Sequence, residues 1–417
     1  MKRKILVAIG VAGAAALVMS GCASTSTPAA ESGPVTITYS NFISNAGNEK
    51  NLAKIVAAFH KANPKITVKV KTLAYDAYGT ALQTDLAAGT AADVFDINGP
   101  SAYGPLQTNG VLAELKGVNG SDYNKALLDS YASGGKQYAL PTSFSDVVLY
   151  YNKDLFDAAK VAYPTDSWTW ADEKAAAEKL TDKSKGIWGD HQPVTYNEYY
   201  KTLVQNGASF LSADGKKAAF NTPAGLEAAE WLVDKSGTVM PTIKQGQGTA
   251  DFDTNLFKSG KLAMLHTGIW VFGAFADSPK NWDIAIEPGN TTHASAVFSN
   301  GIGVNAASKH LAAAQKWAVF MSSSDSMVNI RLDSGWELPT IADTAKLATY
   351  LTKGAPANRQ AVFDAAKEIA PAPSIGDNQT AMQDAITGEL VEAQAGRETV
   401  QQALDKAEAK INTLLAG

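Results

Sequence analysis

The side chains best able to carry acid–base or metal chemistry are five histidines, and their spacing speaks against both. His60, His191, His266, His293 and His310 stand alone, without the i, i+4 partner or the cysteine companions that a metal site draws on. No G-x-S-x-G elbow and no P-loop occurs, so neither an acyl-transfer nucleophile nor a phosphate cradle is indicated. Nothing calls for a cofactor or a metal. Acids are plentiful, 41 against 36 bases, and a carboxylate pair of the glycosidase kind stays open. Arginine is scarce. Beyond residue 21 only Arg331, Arg359 and Arg397 remain, whereas capture of phosphate or carboxylate favours the guanidinium fork. This inventory suits a neutral polyol, whose C–H faces pack on aromatic rings and whose hydroxyls bond to Asp, Asn and Glu.

Those groups need elements to hold them. Val35, Ile37 and Tyr39 alternate with threonines as a half-buried strand does. Leu52, Ile55, Val56 and Phe59 recur at helical spacing, and this helix stops before Asn63-Pro64 because the residue preceding proline disfavours the α region. Ile66, Val68 and Val70 form a second strand, Asp76 to Ala88 a second helix ended by Gly89, and Val94 to Ile97 a third strand. Such strand–helix–strand units give parallel pairs with right-handed crossovers, so the fold class is α/β and doubly wound. Ligands of these sheets gather beyond the carboxyl ends of the strands. That makes Asn41 and Phe42, and then Asp96, Asn98 and Tyr103, the first candidates, with a surface loop cap as the plain alternative for Asp96.

Further along, Gly134-Gly135 reads as a turn and Lys136 to Leu140 as a short strand ended by Pro141. A polar link, Thr142 to Ser145, leads to the unalternating run Val147 to Tyr151, which suits a strand covered on both faces. Asn152 or Asp154 caps the next helix. The cluster Tyr196, Asn197, Glu198, Tyr199, Tyr200 mixes rings with acceptors; it fits a sugar site and equally a helix with a buried aromatic face. Thr222-Pro223 starts another helix. In Phe257 to Trp270, FKSGKLAMLHTGIW, Gly260-Lys261 turns the chain, Leu262 to Leu265 is a buried strand, and Gly268 lets the backbone approach something closely. Thr399 and Gln402 make a capping box for a last helix.

At 417 residues the chain exceeds what one core usually organises, so two domains are expected. Hydrophobic residues make up 45% and charged residues 18%, the proportions of a folded globular protein. The formal charge of −5 makes nucleic acid a poor partner. Lys2, Arg3 and Lys4 precede an apolar run from Ile5 to Met19. As a helix that run spans roughly 22 Å, short of a hydrocarbon core of about 30 Å. It reads as a signal peptide over 1–21. Cys22 is the one cysteine of the chain, so it cannot form an internal disulfide. The small residues before it resemble a bacterial lipobox, which implies that Cys22 carries lipid and holds the protein to the membrane. Residues 22–33 have the composition of a flexible tether.

The stretch Gly134 to Phe156 carries a resemblance to a known family. Gly135, Lys136, Tyr138 and Pro141, followed by Leu149, Tyr151, Asn152, Lys153, Asp154, Leu155 and Phe156, are similar to the G-K-x-Y-x-x-P approach and x-L-x-Y-N-K-D-L-F exit of the first interdomain crossing in extracellular solute-binding protein family 1. These are the maltose-binding-protein-like carbohydrate receptors of ABC importers. LQTDLAAGTAADVFDI, Thr169-Trp170-x-Asp172, FKSGKLAMLHTGIW, Gly335 to Pro339 and the GRETVQQALDKAEAKI tail resemble further motifs of that family, in its order.

The resemblance implies a two-lobed periplasmic-binding-protein fold of type II with hinge crossings, the lobes being 34–144 plus 296–335 and 145–295 plus 336–417. It implies a monomer that binds a mono- or oligosaccharide without chemistry and hands it to permease subunits. Trp270 would stack on a pyranose ring. Asn41, Phe42, Asp96 and Asn98 would contribute from the first lobe, Tyr196 and Glu198 from the second, and Ser145, Trp336 and Glu337 near the connections. A membrane-anchored glycan-processing enzyme using two of these acids, or a receptor of the same fold for a non-sugar solute, are the alternatives.

Overall fold

A computed structural model describes residues 33–42, 48–249, 251–275, 281–352 and 354–416. The expected signal peptide, Cys22 and the tether before Gly33 lie outside them. The main sheet uses β1 (Val35–Asn41), β2 (Ile66–Thr72), β3 (Val94–Ile97), β4 (Ala139–Asn152), β5 (Met264–Gly268), β6 (Trp282–Ala285), β7 (Ser295–Val304) and β8 (Ile369–Ala370). The helices that matter below are α1 (Asn48–Ala62), α2 (Tyr75–Ala87), α3 (Trp170–Leu180), α4 (Tyr196–Gln205), α5 (Pro223–Val233), α6 (Leu311–Ser323), α7 (Asp325–Ser334), α8 (Gln379–Gln394) and α9 (Val400–Ala416).

The first lobe forms as its periodicity requires. β1 pairs with β2 and β3 in parallel, with α1 and α2 as the crossovers. Leu52, Ile55 and Phe59 of α1 are buried against the sheet. There the indole of Trp317 on α6, fully enclosed, meets Tyr39 and Phe59 edge-on at 5.4 and 5.1 Å.

The strand order β2-β1-β3-β7-β4-β5 continues this sheet across the molecule. Two strands make the passage. β4 runs for 14 residues; its first half, Ala139 to Asp146, pairs antiparallel with β7, and its second half, Val147 to Asn152, pairs antiparallel with β5 and β6. β7 in turn pairs antiparallel with β3. The sheet is therefore parallel around β1 and antiparallel around β4.

Pro141 does not end a strand. The register against β7 slips between Pro141 and Ser143, and such a bulge accommodates a residue that has no N–H to donate. Thr340 Oγ1 donates to the Pro141 carbonyl at 2.8 Å, satisfying that acceptor from outside the ladder. The expected polar link Thr142 to Ser145 is thus strand. The strand expected over Leu262 to Leu265 is displaced to Met264–Gly268, because the Lys261 carbonyl and the Ala263 N–H, on either side of Leu262, bond instead to Trp188.

The second lobe's core is aromatic and helical. Tyr196, Tyr199 and Tyr200 on α4 pack with Phe210 and Phe220, and α8 and α9 close over them with Ile386, Leu390, Leu404 and Ile411. Both expected helix starts here are capped. Thr169 and Asp172 make a reciprocal capping box on α3, and Thr399 and Gln402 exchange bonds of 3.0 and 3.2 Å at the head of α9. Among the described residues no helix is long and apolar enough to cross a membrane.

Candidate functional site

The β4–β7 ladder presents one face that gathers polar and aromatic groups. Ser143 stands opposite Asn300 and Ser145 opposite Phe298. Residues two apart on a strand share a face, and residues opposite one another in an antiparallel pair do too. Asn300 Nδ2 donates to Ser143 Oγ at 3.2 Å and points toward Glu337 Oε1 at 3.4 Å. Phe298 receives the edge of Trp270 at 5.4 Å and 78°. One short stretch of β7 therefore touches Trp270 from the second lobe and the Glu337 loop that follows α7.

Trp270 is half-buried and belongs to the rim of both large cores. It follows the edge of β5 through a single helical turn, Ile269–Val271. The close approach foreseen at Gly268 is to this indole, since a Cβ on Gly268 would fall 1.9 Å from Trp270 Cζ3.

Asp96, at the end of β3, is buried, and Tyr39 donates its phenolic hydrogen to Asp96 Oδ1 at 2.5 Å. Burial pushes this carboxyl up to about 7, against the Tyr39 hydrogen bond and the nearby Arg331 guanidinium, which both favour the ionised form. Arg331 comes from α7 and is itself buried. It lies 3.6 Å from Glu337 Oε2 and packs its guanidinium 4.0 Å above the ring of Trp336. Glu337 is likewise raised by burial, with Arg331 opposing. Asp96, Trp336 and Glu337 are thus drawn into one cluster whose organiser is Arg331. The indole of Trp336 is 4% exposed and has one face under that cation, so it is packed rather than open.

Asn41 ends β1 in a fully buried position. Phe42 beside it meets Tyr75 and Tyr78 edge-on at 5.6 and 5.1 Å. Asn98 is exposed and donates to the Tyr75 hydroxyl at 3.0 Å. Tyr75, at the head of α2, is 47% exposed, which makes it an open aromatic surface beside the β3 loop.

Four expected residues are placed differently from the picture of an open pocket wall. Ser145 is fully buried, and its hydroxyl has no hydrogen-bond partner among the described residues. Tyr196 packs against Tyr200 and Phe210 and donates to the Pro373 carbonyl at 2.6 Å, which is the buried aromatic face of a helix. Glu198 Oε2 accepts from Lys201 Nζ at 2.6 Å and from Gln192 Nε2 at 2.9 Å, inside the lobe. Tyr103 is buried and meets Tyr131 edge-on at 5.5 Å. Asp96 and Glu198, the acids that a glycan-processing enzyme would use, lie in separate networks.

Among the described residues Glu173, Asp190 and His266 offer a set of donors that could hold a cation. Lys235 Nζ already bonds both carboxylates, at 2.6 and 2.7 Å, so an ammonium stands where the cation would go. A groove of about 1160 Å³ between α3 and α5, lined by Trp170, Trp231 and Lys235, contains none of the expected ligand residues.

Phe298, Asn300, Ser143, Tyr75 and Arg331 were not singled out from the sequence as site residues. The signal for Arg331 was its rarity and its position just before the Gly335-Trp336-Glu337 loop. Ser143 and Asn300 had no signal of their own, because their pairing depends on the register of two strands far apart in sequence.

A family model described as bacterial extracellular solute-binding protein matches residues 45–328. Among solved structures, the ABC substrate-binding protein Lmo0181 of Listeria monocytogenes in complex with cycloalternan is 40% identical, with a TM-score of 0.87 over 91% of this chain and 99% of that one. The maltose/maltodextrin-binding domain MalE of Bdellovibrio bacteriovorus, bound to maltotriose, shares the fold at 20% identity, with a TM-score of 0.79 over 92% of this chain and 100% of that one. A maltooligosaccharide ABC transporter solute-binding lipoprotein of Streptococcus pneumoniae is 26% identical over 96% of this chain and 94% of its own length.

Proposed function

Because the chain belongs to the bacterial extracellular solute-binding proteins, we propose that it is the substrate-binding lipoprotein of an ABC importer, capturing a neutral mono- or oligosaccharide between its lobes and delivering it to the membrane permease. The observation that carries this reading is the half-exposed Trp270 at the meeting of the two cores, beside a strip of β7 that also reaches the Asn300–Glu337 polar group. An indole excludes water from one face of a pyranose while carboxylates and amides accept and donate to its hydroxyls. The 40% identity to a protein held in complex with cycloalternan supports the same ligand class.

On this reading the lobes are 34–144 plus 296–335 and 145–295 plus 336–417, with β4 and β7 as the connections. Asn41, Phe42, Asp96 and Asn98 act from the first lobe and Trp270 from the second, with Ser145, Trp336 and Glu337 at the junction. Each lobe supplies part of the contacts, so a bound sugar favours the closed arrangement that satisfies both. Binding is the whole task, and the protein works as a monomer tethered by lipid on Cys22 to the outer face of the cell membrane.

Titration calorimetry against a panel of neutral mono- and oligosaccharides tests the ligand class. Sub-millimolar binding to a member is expected, and silence across the panel would overturn the proposal. Mass spectrometry of the mature N-terminus tests the anchor, with a diacylated Cys22 expected and an unmodified or absent Cys22 refuting it.

A further inference from the structure

Inside the second lobe, charged side chains that lie far apart in sequence close into a ring. Lys201 Nζ bridges Glu198 and Glu287, at 2.6 Å to each. The same Glu287 oxygen meets His266 Nδ1 at 2.7 Å. His266 Nε2 then faces Glu173 Oε1 at 3.2 Å and Asp190 Oδ1 at 3.4 Å. Lys235 Nζ joins Glu173 to Asp190 and also to Gln192 Oε1, the last at 2.7 Å. Gln192 Nε2 donates to Glu198 at 2.9 Å and completes the circuit. Every member is buried. Among the described residues Glu173 Oε2 and Glu287 Oε2 have no hydrogen-bond partner.

Such a ring is a poor source of stability. Removing ions from water costs several kcal/mol each, and well-packed apolar residues of similar volume would hold the core as well or better. What a ring of short charge-assisted bonds supplies is fixed geometry, because each member is held from two sides. Its position indicates whose geometry is fixed. Five separate segments join β5 in the ring, namely α3, the 190–192 loop, α4, the stretch just past α5 and the segment after β6, and three of them touch His266 itself through Glu173, Asp190 and Glu287. His266 belongs to β5, the short strand that leads to Trp270.

β5 is held by β4 along one side and by the 188–191 loop along the other, and the last backbone bond to that loop is His266 N to His191 O at 3.0 Å. Beyond it the β4 register and the bond of 2.8 Å from the Tyr150 hydroxyl to the Gly268 carbonyl hold the chain before it turns into Trp270. His266 and Gly268 lie on the same face of β5, and the indole folds back over Gly268.

We propose that His266, clamped in this ring, is a positioning residue for Trp270: the ring sets where β5 ends, and thereby the depth and tilt at which the indole meets a ligand. The proposal rests on the saccharide reading for its consequence but not for its geometry. Its test uses two readouts on the full chain. Labelling with 5-fluorotryptophan gives a ¹⁹F line for each of the eight tryptophans, and Trp270→Phe assigns the one in question.

In folded His266→Gln, checked by circular dichroism, the Trp270 line of the unliganded protein shifts and broadens, and the dissociation constant for the sugar bound by the wild type rises about tenfold. A folded His266→Gln with the wild-type Trp270 line and wild-type affinity overturns the proposal. Should that variant not fold, Glu287→Gln, which keeps shape and hydrogen-bonding reach while removing one charge, is read in the same two ways with the same outcomes. If the wild type binds no sugar, the saccharide reading fails, while the fluorine line still decides the positioning role.

Discussion

The indole of Trp270 lies back on the α-carbon of Gly268, where a methyl group would stand 1.9, 2.2 and 2.4 Å from its Cζ3, Cε3 and Cη2 atoms. Gly268 adopts φ −84°, ψ 169°, extended backbone that any residue can take, so the requirement for glycine here is space alone. Gly268→Ala should therefore leave the strand intact and drive the ring off its seat. We expect sugar affinity to fall by tenfold or more in calorimetry, with a loss of stability of about 1–3 kcal/mol, the usual range for overpacking. An alanine variant with unchanged affinity would show that the position of the ring does not matter for binding.

The two tryptophans expected to contact ligand should separate cleanly on truncation. Trp270 is half-buried at the edge of both cores, so Trp270→Ala should reduce affinity by roughly 10- to 100-fold, as loss of an aromatic anchor does, and lower the melting temperature only slightly. Trp336 is 4% exposed beneath Arg331. Trp336→Ala should lose about 3–5 kcal/mol of stability, as large-to-small changes in cores do, and should free Arg331 to draw on Asp96 and Glu337. Calorimetry and urea unfolding on the same two variants distinguish these outcomes.

Much of this architecture is legible in the residues and some of it cannot be. Periods of two and 3.6 located β1, α1 and β2, because the burial that the periods report there is one-sided and local. The capping pair at Thr399 was equally plain. Pro141 misled, since its effect on a strand depends on the partner, and a bulge opposite β7 absorbs it. Glu198 read as a free acceptor because nothing near it in sequence reveals Glu287 or Gln192, which reach it or its partner Lys201 from other segments. The five histidines read as isolated for the same reason, although His266 meets acids from three segments. Sequence spacing reports neighbours along one element, and buried charge networks are made between elements.

Asp96 should give the fold a measurable pH dependence. Burial holds its carboxyl at about 7 in the folded protein, against about 3.9 in an unfolded chain. A group whose pKa is raised on folding binds its proton more tightly in the native state. Its contribution is fully present below about pH 4 and is lost as pH rises toward 7. Wild type should therefore lose stability relative to Asp96→Asn between pH 4 and 7, by up to about 4 kcal/mol, and run parallel to it above that range. Urea unfolding of both proteins at pH 4.5, 6 and 7.5 checks this, and a constant difference across the series would mean that Asp96 ionises normally.

Lys201 is the member of the buried ring whose loss should be most damaging. It is fully enclosed and neutralises Glu198 and Glu287 together, each at 2.6 Å. Desolvation favours its neutral form, but the two carboxylates outweigh that and hold its pKa above the usual lysine value. Lys201→Met keeps much of the stem's volume and strands two buried carboxylates, and breaking a buried pair from one side costs about 3–5 kcal/mol. Replacing all three, as Lys201→Met with Glu198→Gln and Glu287→Gln, removes the stranded charges as well. The triple variant should regain at least half of the stability lost by the single one in urea unfolding, since most of the penalty lies in the orphaned carboxylates. A triple variant less stable than Lys201→Met would mean that the ring is a net source of folding energy, contrary to the geometric role assigned to it.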